Sequence, residues 1–396
     1  MICIIIILTL LRQYRIDPMS ELKKVLIVTY YWPPAGGPAI QRTLKFVKYM
    51  RFFGWEPVIL TVENGEYPAI DPSLIQEIPD NIQVYKTKAF QPFQLYRMLT
   101  GKKGNTHNNA NVFGQKDKTF VERLAKWIRL NLFIPDARIG WYAYAVKAAK
   151  KIIEQEHIDL IYSSSPPHSL QLIAQKIAKQ NKIKWVADFR DPWSELVHYQ
   201  SYKRTWLTRK IDSHFEKSVF RSADRLVAAA NDYATCIKTH VDRKIEVIYN
   251  GYDPSDFPKP KSRNTEDFLI TYTGELSEDR IPHALLRALS RLEHSNIKLQ
   301  FIGNTCPELK QEIQRLNLGN KVMLKPYMPH IASIAELQQS DLLLLVINQV
   351  ANGKGIVPGK IFEYLGTRKP ILCLGDPTGE AGEIIKTTNS GFCIAH

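Results

Sequence analysis

The segment from Pro358 to Glu363 has the residue types and spacing of a phosphate-binding helix start. Pro358 and Gly359 are typical of residues that open a helix, which places Lys360 in its first turn. A cation there opposes the helix dipole by about 0.3 kcal/mol or more, unless the cation and the free N–H groups share a bound phosphate. Glu363 lies one turn later on the same face, where its carboxylate could bind both hydroxyls of a ribose. The alternative is a surface ion pair between Lys360 and Glu363.

A second cation, Arg280, lies near another predicted helix start. It follows the apolar run 268–273 and precedes Pro282, which suits the first turn of a helix. A cation in this position again opposes the helix dipole, unless an anion is bound between the cation and the helix start. The alternative is a solvated arginine paired with one of the two acidic residues before it.

In the first half, glycines and a histidine follow predicted strands. Gly36 and Gly37 lie between a strand and a helix, where glycine lets the backbone approach a ligand and the helix start favours an anion. An ordinary tight turn is the alternative. His168 follows the strand at 159–163, at the start of the next helix. Both a ligand contact and a surface or capping role fit that position.

The run Asp188-Phe189-Arg190-Asp191-Pro192-Trp193 comes after the strand at 183–188. We expect its three charges and its tryptophan to be too polar for a core. Contact with a substrate hydroxyl or phosphate is one interpretation for Asp188, Arg190, Asp191 and Trp193, and a structural Asp–Arg pair that fixes the loop is the other. The run is not an Asp-x-Asp metal motif.

Parallel sheets would bring these residues together, since ligands bind beyond the carboxyl ends of parallel strands. The apolar, β-branched runs lack alternation and are separated by amphipathic helical stretches, which is typical of buried parallel strands. The predicted strands are 24–31, 57–62, 159–163, 183–188, 225–229 and 245–249, followed by 268–273, 297–302, 321–325, 341–347 and 370–374. The predicted helices include 39–53, 141–156, 282–293, 307–316, 332–339 and 359–367.

The pattern restarts after a segment rich in Pro, Asn, Ser and charge, so we predict two doubly wound, Rossmann-like α/β domains. Residues 100–118 are polar and predict a mobile loop. Residues 1–18 begin with an apolar run too short to span a bilayer. We expect them to be a non-native or disordered extension, with a short membrane-dipping anchor as the alternative. The predicted parts are therefore 1–18 as extension, 19–250 as first domain, 251–266 as linker and 267–396 as second domain.

Composition excludes several classes of protein. With 44% hydrophobic and 23% charged residues, the chain has the balance of a soluble globular protein rather than of a disordered, collagenous or multi-span membrane protein. The five cysteines are scattered and form no Cys-x-x-Cys pair, which argues against a disulfide framework or a zinc site and favours a reducing cytosol.

Five motifs in order resemble the family 4 glycosyltransferases, over about residues 22–396. They are Tyr31-Trp32-Pro33-Pro34 with Gly36-Gly37, Ser165-Pro166-Pro167-His168, Asp188 to Trp193, Asn250-Gly251-Tyr252-Asp253, and Pro358 to Leu365. The resemblance implies the GT-B fold, with two Rossmann-like domains facing a cleft. It also implies a retaining hexosyltransferase-type enzyme that uses a UDP- or GDP-linked sugar and requires no cofactor or metal.

The resemblance implies a role for each matching residue. Arg280 and Lys360 would hold the donor diphosphate, and Glu363 the ribose. Gly36 and Gly37 would form the loop beneath the donor, His168 would contact the donor sugar, and Gly274 would line the donor site. In two positions this chain departs from many members, which carry glutamate where it has Gly355 and arginine where it has Glu275. Members also usually continue beyond the strand at 390–396, so we expect an incomplete second domain.

The positive charge is confined to one part of the chain. Residues 1–250 carry 37 basic and 23 acidic residues, a net charge of +14, whereas residues 251–396 carry 16 of each. In a helix near residues 120–132, apolar side chains fall on one face beside basic side chains, which suggests binding to an anionic membrane. The alternative is a helix packed on its own domain. These side chains are Phe120, Leu124, Trp127, Ile128 and Leu132, with Arg123, Lys126 and Arg129.

We therefore expect a cytoplasmic enzyme, peripheral on the inner membrane, that glycosylates a lipid-linked or saccharide acceptor in bacterial polysaccharide or lipopolysaccharide synthesis. Nucleic acid is not an expected partner, because no nucleic-acid-binding motif accompanies the charge. Two alternatives remain open: a nucleotide-sugar epimerase on a similar fold, and a non-catalytic relic that binds nucleotide or membrane.

Overall fold

The computed structural model describes residues 22–396 with several gaps, at 68, 92–119, 194–203, 260–262, 264–265, 293–295 and 350–352. The chain forms two compact units, one ending at Tyr249 and the other beginning at Asn250. The predicted extension at 1–18 and the predicted loop at 100–118 lie outside the described residues. Within the described part, no helix combines the length and the apolar composition needed to cross a bilayer.

The first unit is built on a parallel seven-stranded sheet with the order β3-β2-β1-β4-β5-β6-β7. Its strands are β1 Lys23–Val28, β2 Trp55–Val62, β3 Gln83–Thr87, β4 Leu160–Ser165, β5 Lys184–Phe189, β6 Arg225–Ala228 and β7 Ile245–Val247. Strand β3 was not among the predicted strands. It lies at the sheet edge and is only half-buried, so its sequence lacks an apolar run.

In the described residues of this unit, six helices accompany the sheet. They are α1 Pro38–Met50, α2 Phe120–Asn131, α3 Tyr142–Glu156, α4 Ser169–Asn181, α5 Trp206–Ser222 and α6 Asn231–Lys238. Successive residues of β1 enter different cores, because side chains alternate across a strand. Leu26 packs in the core that includes Trp141 and Ile173, whereas Ile27 packs with Ile40 of α1. Both faces of the sheet are therefore covered, which explains its continuous apolar strands.

The second unit repeats this design with a parallel six-stranded sheet of order β10-β9-β8-β11-β12-β13. Its strands are β8 Phe268–Thr273, β9 Ile297–Ile302, β10 Val322–Lys325, β11 Leu342–Val346, β12 Ile371–Leu374 and β13 Gly391–Ile394. Its helices are α7 His283–Arg291, α8 Pro307–Arg315, α9 His330–Gln338, α10 Lys360–Thr367 and α11 Glu380–Thr387. The prediction of two doubly wound α/β domains is confirmed.

Strand order reverses once in each sheet, next to its first strand. In the first unit β1 lies between β2 and β4, and in the second unit β8 lies between β9 and β11. The crevice beyond the carboxyl ends of the strands at such a reversal is the usual ligand site of open parallel sheets. The residues that follow β1, β4, β8 and β11 are therefore the first to consider as site residues.

Candidate functional site

In the second unit, Lys360 lies against the end of β8. Its ammonium donates a hydrogen bond to the Thr273 carbonyl and lies 3.9 Å from the centroid of the Tyr272 ring. A Cβ on Gly274 would lie 2.9 Å from Lys360 Nζ, and Gly274 has a φ of +107°, which side chains rarely adopt. Glycine at this position therefore leaves room for the lysine beside the strand end.

Helix α10 begins at Lys360, one residue after the predicted start, so Lys360 lies in its first turn as predicted, and no side chain caps the helix. Its buried Tyr364 hydroxyl accepts a hydrogen bond from Thr273 N–H at 3.1 Å and donates one to the Leu344 carbonyl at 3.2 Å. Tyr364 thus fixes the helix to both β8 and β11, on either side of the reversal point.

The charge of Lys360 is poorly compensated within the protein. Burial is the main cause that lowers the pKa of this lysine, and the Arg280 guanidinium lowers it as well. The Tyr272 ring and the Glu363 carboxylate act in the opposite direction without reversing the shift. Two cations and one carboxylate thus lie close enough to interact, and an anion bound between the cations would favour both.

Arg280 is positioned by Asn348, which lies two residues after the end of β11. Asn348 Oδ1 accepts a hydrogen bond from Arg280 Nε at 2.7 Å, and Asn348 Nδ2 donates one to Asp279 Oδ2 at 2.5 Å. Arg280 Nη1 also donates to the Glu275 carbonyl at 3.3 Å. The sequence reasoning missed Asn348, although its position just past a predicted strand was a signal that could have found it.

Glu363 pairs with a histidine that the sequence reasoning also missed. Its Oε1 lies 2.9 Å from Nε2 of His330, the first residue of α9. The His330 Nδ1 atom lies 3.8 Å from the Asp256 carboxylate. Because Glu363 pairs with His330 and Lys360 bonds to a backbone carbonyl, the Lys360–Glu363 surface pair that we considered is not formed. No sequence spacing links residues 330 and 363, so only the fold shows this contact.

The two glycines of the first unit differ in their surroundings. A Cβ on Gly36 would lie 3.1 Å from the Cβ of Asp71, and Gly36 N–H bonds to the Ala69 carbonyl at 2.9 Å. Gly37 has a φ of +91° and open space around its Cα, and it is the N-cap of α1. Gly36 therefore serves packing of the chain, whereas Gly37 is the glycine that a ligand could approach.

The run from Asp188 to Trp193 is not too polar for a core, contrary to our expectation. Asp188 is fully buried and forms two hydrogen bonds of 2.8 Å with the Arg42 guanidinium of α1. Tyr162 and Ser164 hydroxyls each donate to the same carboxylate at 2.7 Å. The structural Asp–Arg pair thus exists, but the arginine comes from 146 residues earlier in the chain rather than from position 190.

Burial alone would raise the pKa of Asp188, but the Arg42 charge and the three hydrogen-bonding side chains outweigh it and lower the pKa. Asp188 is therefore a buried anion whose hydrogen bonds are made within the protein. This placement favours the structural interpretation of Asp188 over contact with a substrate. Of the remaining residues of the run, Arg190 donates a hydrogen bond to the Pro166 carbonyl, and Arg190 and Asp191 are half-buried.

His168 is buried rather than exposed to a ligand. Its ring stacks on Trp193 with centroids 4.8 Å apart, and Trp193 is itself buried with its Nε1 bonded to Asp212 at 2.8 Å. Burial, with a smaller effect of the Arg190 charge, lowers the pKa of His168 to about 3, so the ring is neutral at physiological pH. His168 occupies the N-cap position of α4. Its placement favours a packing role over direct contact with a sugar.

Two family models match consecutive parts of the chain. The model of Glycosyltransferase Family 4 matches residues 110–256, and the model of Glycosyl transferases group 1 matches residues 254–396. Together they extend over most of the chain and over both units. Among curated proteins, none matches this sequence.

Solved structures of similar fold include three proteins at low sequence identity. HepE (Alr3699) from Anabaena, in complex with UDP, has a TM-score of 0.60 and 16% identity, covering 94% of this chain and 86% of its own. Sucrose-phosphate synthase from Thermosynechococcus elongatus has a TM-score of 0.60 and 11% identity, with the same coverages of 94% and 86%. A glycosyltransferase from Rickettsia africae has a TM-score of 0.58 and 16% identity, with coverages of 95% and 85%.

At these identities the structural likeness establishes the fold, and the family models establish the enzyme class. The two parallel-sheet units correspond to the two domains of the GT-B architecture. The chain therefore belongs to the family 4 type of glycosyltransferases and has their GT-B fold.

Proposed function

We propose that this glycosyltransferase is a retaining hexosyltransferase that uses a UDP- or GDP-linked sugar. Its acceptor would be a lipid-linked or saccharide intermediate of bacterial cell-surface polysaccharide or lipopolysaccharide synthesis. The observation that carries the proposal is the cluster of Arg280, Lys360 and Glu363 at the strand-order reversal of the second sheet. Structures of HepE in complex with UDP and with UDP-glucose support a nucleotide-sugar donor.

In this proposal the two cations stabilise the leaving diphosphate. Arg280 is held by Asn348, and Lys360 is held by the Thr273 carbonyl in the space that Gly274 leaves, so both charges are in place before the donor binds. Preorganised charge of this kind stabilises a transition state without the cost of reorganising solvent. Two such cations could replace the divalent metal that many nucleotide-sugar enzymes use, and we propose that no metal is needed.

Glu363 would accept hydrogen bonds from the ribose hydroxyls, with His330 fixing the orientation of its carboxylate. Gly37, at the start of α1, would let the backbone of the first unit approach the donor. We assign no direct catalytic contact to the buried His168, and propose that its stacking on Trp193 fixes the start of α4. The basic first half would hold the enzyme at the cytoplasmic face of the inner membrane.

Donor binding and turnover test the proposal. UDP- and GDP-sugars are screened for stabilisation of the full chain against heat, and the stabilising sugar is then followed by NMR with a chelator present. Slow donor hydrolysis, with retention at the anomeric carbon, is expected. Conversion to an epimer without hydrolysis would instead support the epimerase, and no stabilisation by any nucleotide would support the non-catalytic relic.

Two substitutions test the site itself. Lys360→Ala and Glu363→Ala should each weaken donor binding at least about tenfold, because each removes a charged hydrogen-bonding partner of the donor. Lys310→Ala, an exposed lysine of α8, is the matched control and should bind donor as the wild type does. Unchanged donor affinity in both site variants would contradict the assignment.

A further inference from the structure

Two helices of the first unit expose large apolar side chains where they meet. Helix α2 ends at Asn131 and helix α5 begins at Trp206. Large exposed apolar clusters on a folded domain mark interaction sites. The side chains, with their exposed fractions, are Leu124 (46%), Trp127 (47%), Leu132 (63%), Trp206 (67%) and Leu207 (52%). We call this cluster the α2–α5 surface.

The two helix ends are fixed to each other. Asn131 Oδ1 accepts hydrogen bonds from Thr205 N–H at 2.8 Å and from the Thr208 hydroxyl at 3.1 Å. Arg204 Nε donates to the Leu130 carbonyl at 3.3 Å. Asn131 Nδ2 in turn donates to the Trp127 carbonyl at 3.0 Å. Trp127, Leu132, Trp206 and Leu207 therefore lie within about one helical turn of this junction, and Leu124 lies about two turns from it along α2.

Part of the apolar face predicted for α2 remains exposed. Among the α2 side chains that the structure describes, Leu130 and Asn131 are buried, and Asn131 bonds to the start of α5. Leu124 and Trp127, which the packing alternative would have buried, remain exposed. The side chains of Phe120 and Lys126, also part of that prediction, lie outside the described part of the chain.

Helix α5 presents positive charge only. Its two carboxylates, Asp212 and Glu216, are buried, and Asp212 pairs with Arg204 at 2.6 Å. Its basic side chains remain exposed, at Arg209, Lys210, Lys217 and Arg221. The Lys210 ammonium lies 5.9 Å from the centroid of the Trp206 ring, so a cation and an indole are displayed together.

We propose that the α2–α5 surface docks on an anionic lipid bilayer. Tryptophan and leucine beside arginine and lysine suit the boundary between headgroups and acyl chains, and anionic lipids attract the cations. A second copy of the chain fits less well, because it would bring the same cations against these cations. The inference rests on the proposed function, since a lipid-linked acceptor would be presented at that bilayer.

Co-sedimentation of the full chain with vesicles tests the docking. Vesicles of phosphatidylcholine alone are compared with vesicles that also contain phosphatidylglycerol, at low salt. The wild type should bind the anionic vesicles and not the neutral ones. Two double variants of α5 should each weaken binding at least about tenfold. One combines Trp206→Ala with Leu207→Ala, and the other combines Arg209→Glu with Lys210→Glu. Circular dichroism verifies that both variants are folded.

Matched controls separate this surface from general charge and hydrophobicity. Phe52→Ala removes an exposed aromatic elsewhere in the first unit, and Lys147→Glu with Lys150→Glu makes the same charge change on α3. Both controls should bind as the wild type does. The docking proposal would be overturned by any of three results. The α5 variants could bind vesicles as the wild type does, or the controls could lose binding equally. The wild type could also self-associate in a way that the α5 variants abolish.

Thermal stabilisation by donors, measured on the same proteins without vesicles, distinguishes a failure of the docking proposal from a failure of the proposed function. Suppose that donors stabilise all of the variants, and that the α5 variants still bind vesicles as the wild type does. Then only the docking proposal fails. If the α5 variants lose vesicle binding while no donor stabilises even the wild type, the docking holds and the proposed function fails.

Discussion

At the scale of single residues, the site depends on glycine as much as on charge. Lys360 has room at the end of β8 because Gly274 has no side chain, and the positive φ of Gly274 is one that other residues rarely adopt. Arg280 and Glu363 each depend on one further side chain, Asn348 and His330 respectively. The residues that would contact the donor are thus held by side chains that lie outside the sequence motifs.

Gly274→Ala should weaken donor binding while leaving the protein folded. The added methyl group would lie 2.9 Å from Lys360 Nζ, which is the movable end of a flexible side chain, so the lysine would be displaced and the fold kept. The strained φ should lower the free energy of unfolding by about 1–3 kcal/mol. Donor affinity from calorimetry and stability from denaturant unfolding measure the two effects.

Gly319→Ala is the matched control for this prediction, because nothing lies within 4 Å of its added Cβ. It should leave donor affinity at the wild-type value. A Gly274→Ala variant with normal donor affinity would show that the position of Lys360 does not matter for binding.

At the scale of secondary-structure elements, a buried ion pair connects helix α1 to strand β5. Arg42 and Asp188 are both fully enclosed, and the hydroxyls of Tyr162 and Ser164 on β4 join the same carboxylate. Arg42 also donates to the Tyr249 carbonyl at 3.1 Å. The network therefore links three elements around the strand-order reversal of the first sheet and holds the loops that follow β4 and β5.

Arg42→Met should destabilise the first unit by about 3–5 kcal/mol at neutral pH, because it leaves Asp188 buried without its cation. The partly exposed pair of Arg51 and Glu56, also bidentate at 2.7 Å, is the control. Arg51→Met should cost about 1 kcal/mol or less. Denaturant unfolding of the three proteins measures the difference.

The cost of Arg42→Met should also depend on pH. The pKa of Asp188 is lower in the folded protein than in the unfolded chain, so the pair stabilises the fold above the unfolded value of about 3.9. That contribution is lost as the pH falls through the lower, folded value. The stability difference between wild type and variant should therefore shrink under acid conditions, and a constant difference would contradict the charge-based origin.

For the molecule as a whole, the net positive charge lies in the first unit. The excess of 14 positive charges belongs to residues 1–250, and the remaining residues are neutral overall. In the first unit the burial of Asp212 and Glu216 sharpens this asymmetry locally. A long-range field of one sign would attract anionic surfaces to this unit and leave donor binding to local contacts.

Binding of the full chain to anionic vesicles should therefore fall steeply with salt, since exposed charges are screened over about 10 Å at 0.1 M ionic strength. Donor affinity, which we propose depends on the half-buried Lys360 and Arg280, should fall much less over the same range. Co-sedimentation and calorimetry across one salt series compare the two. Parallel losses would indicate that both ligands bind through surface charge alone.

The architecture could be predicted from the sequence alone, and so could the residues that we propose bind the donor. Uniform apolar runs predict buried parallel strands, and β8 and β9 begin and end at the predicted residues. The start of α10 was predicted from Pro358 and Gly359, because helix capping is a local property of the chain. Edge strand β3 escaped prediction, since an edge is half-buried and needs no apolar run.

Which polar residues lie in the core became clear only from the fold. Asp188 had a substrate role among its interpretations until the fold brought Arg42 to it, and His168 and Trp193 proved to stack inside the first unit. Asn348, His330 and the junction of α2 with α5 likewise arise from distant parts of the chain. Local sequence sets backbone conformation and periodicity, whereas the pairing of buried charges depends on contacts across many residues, which no local pattern encodes.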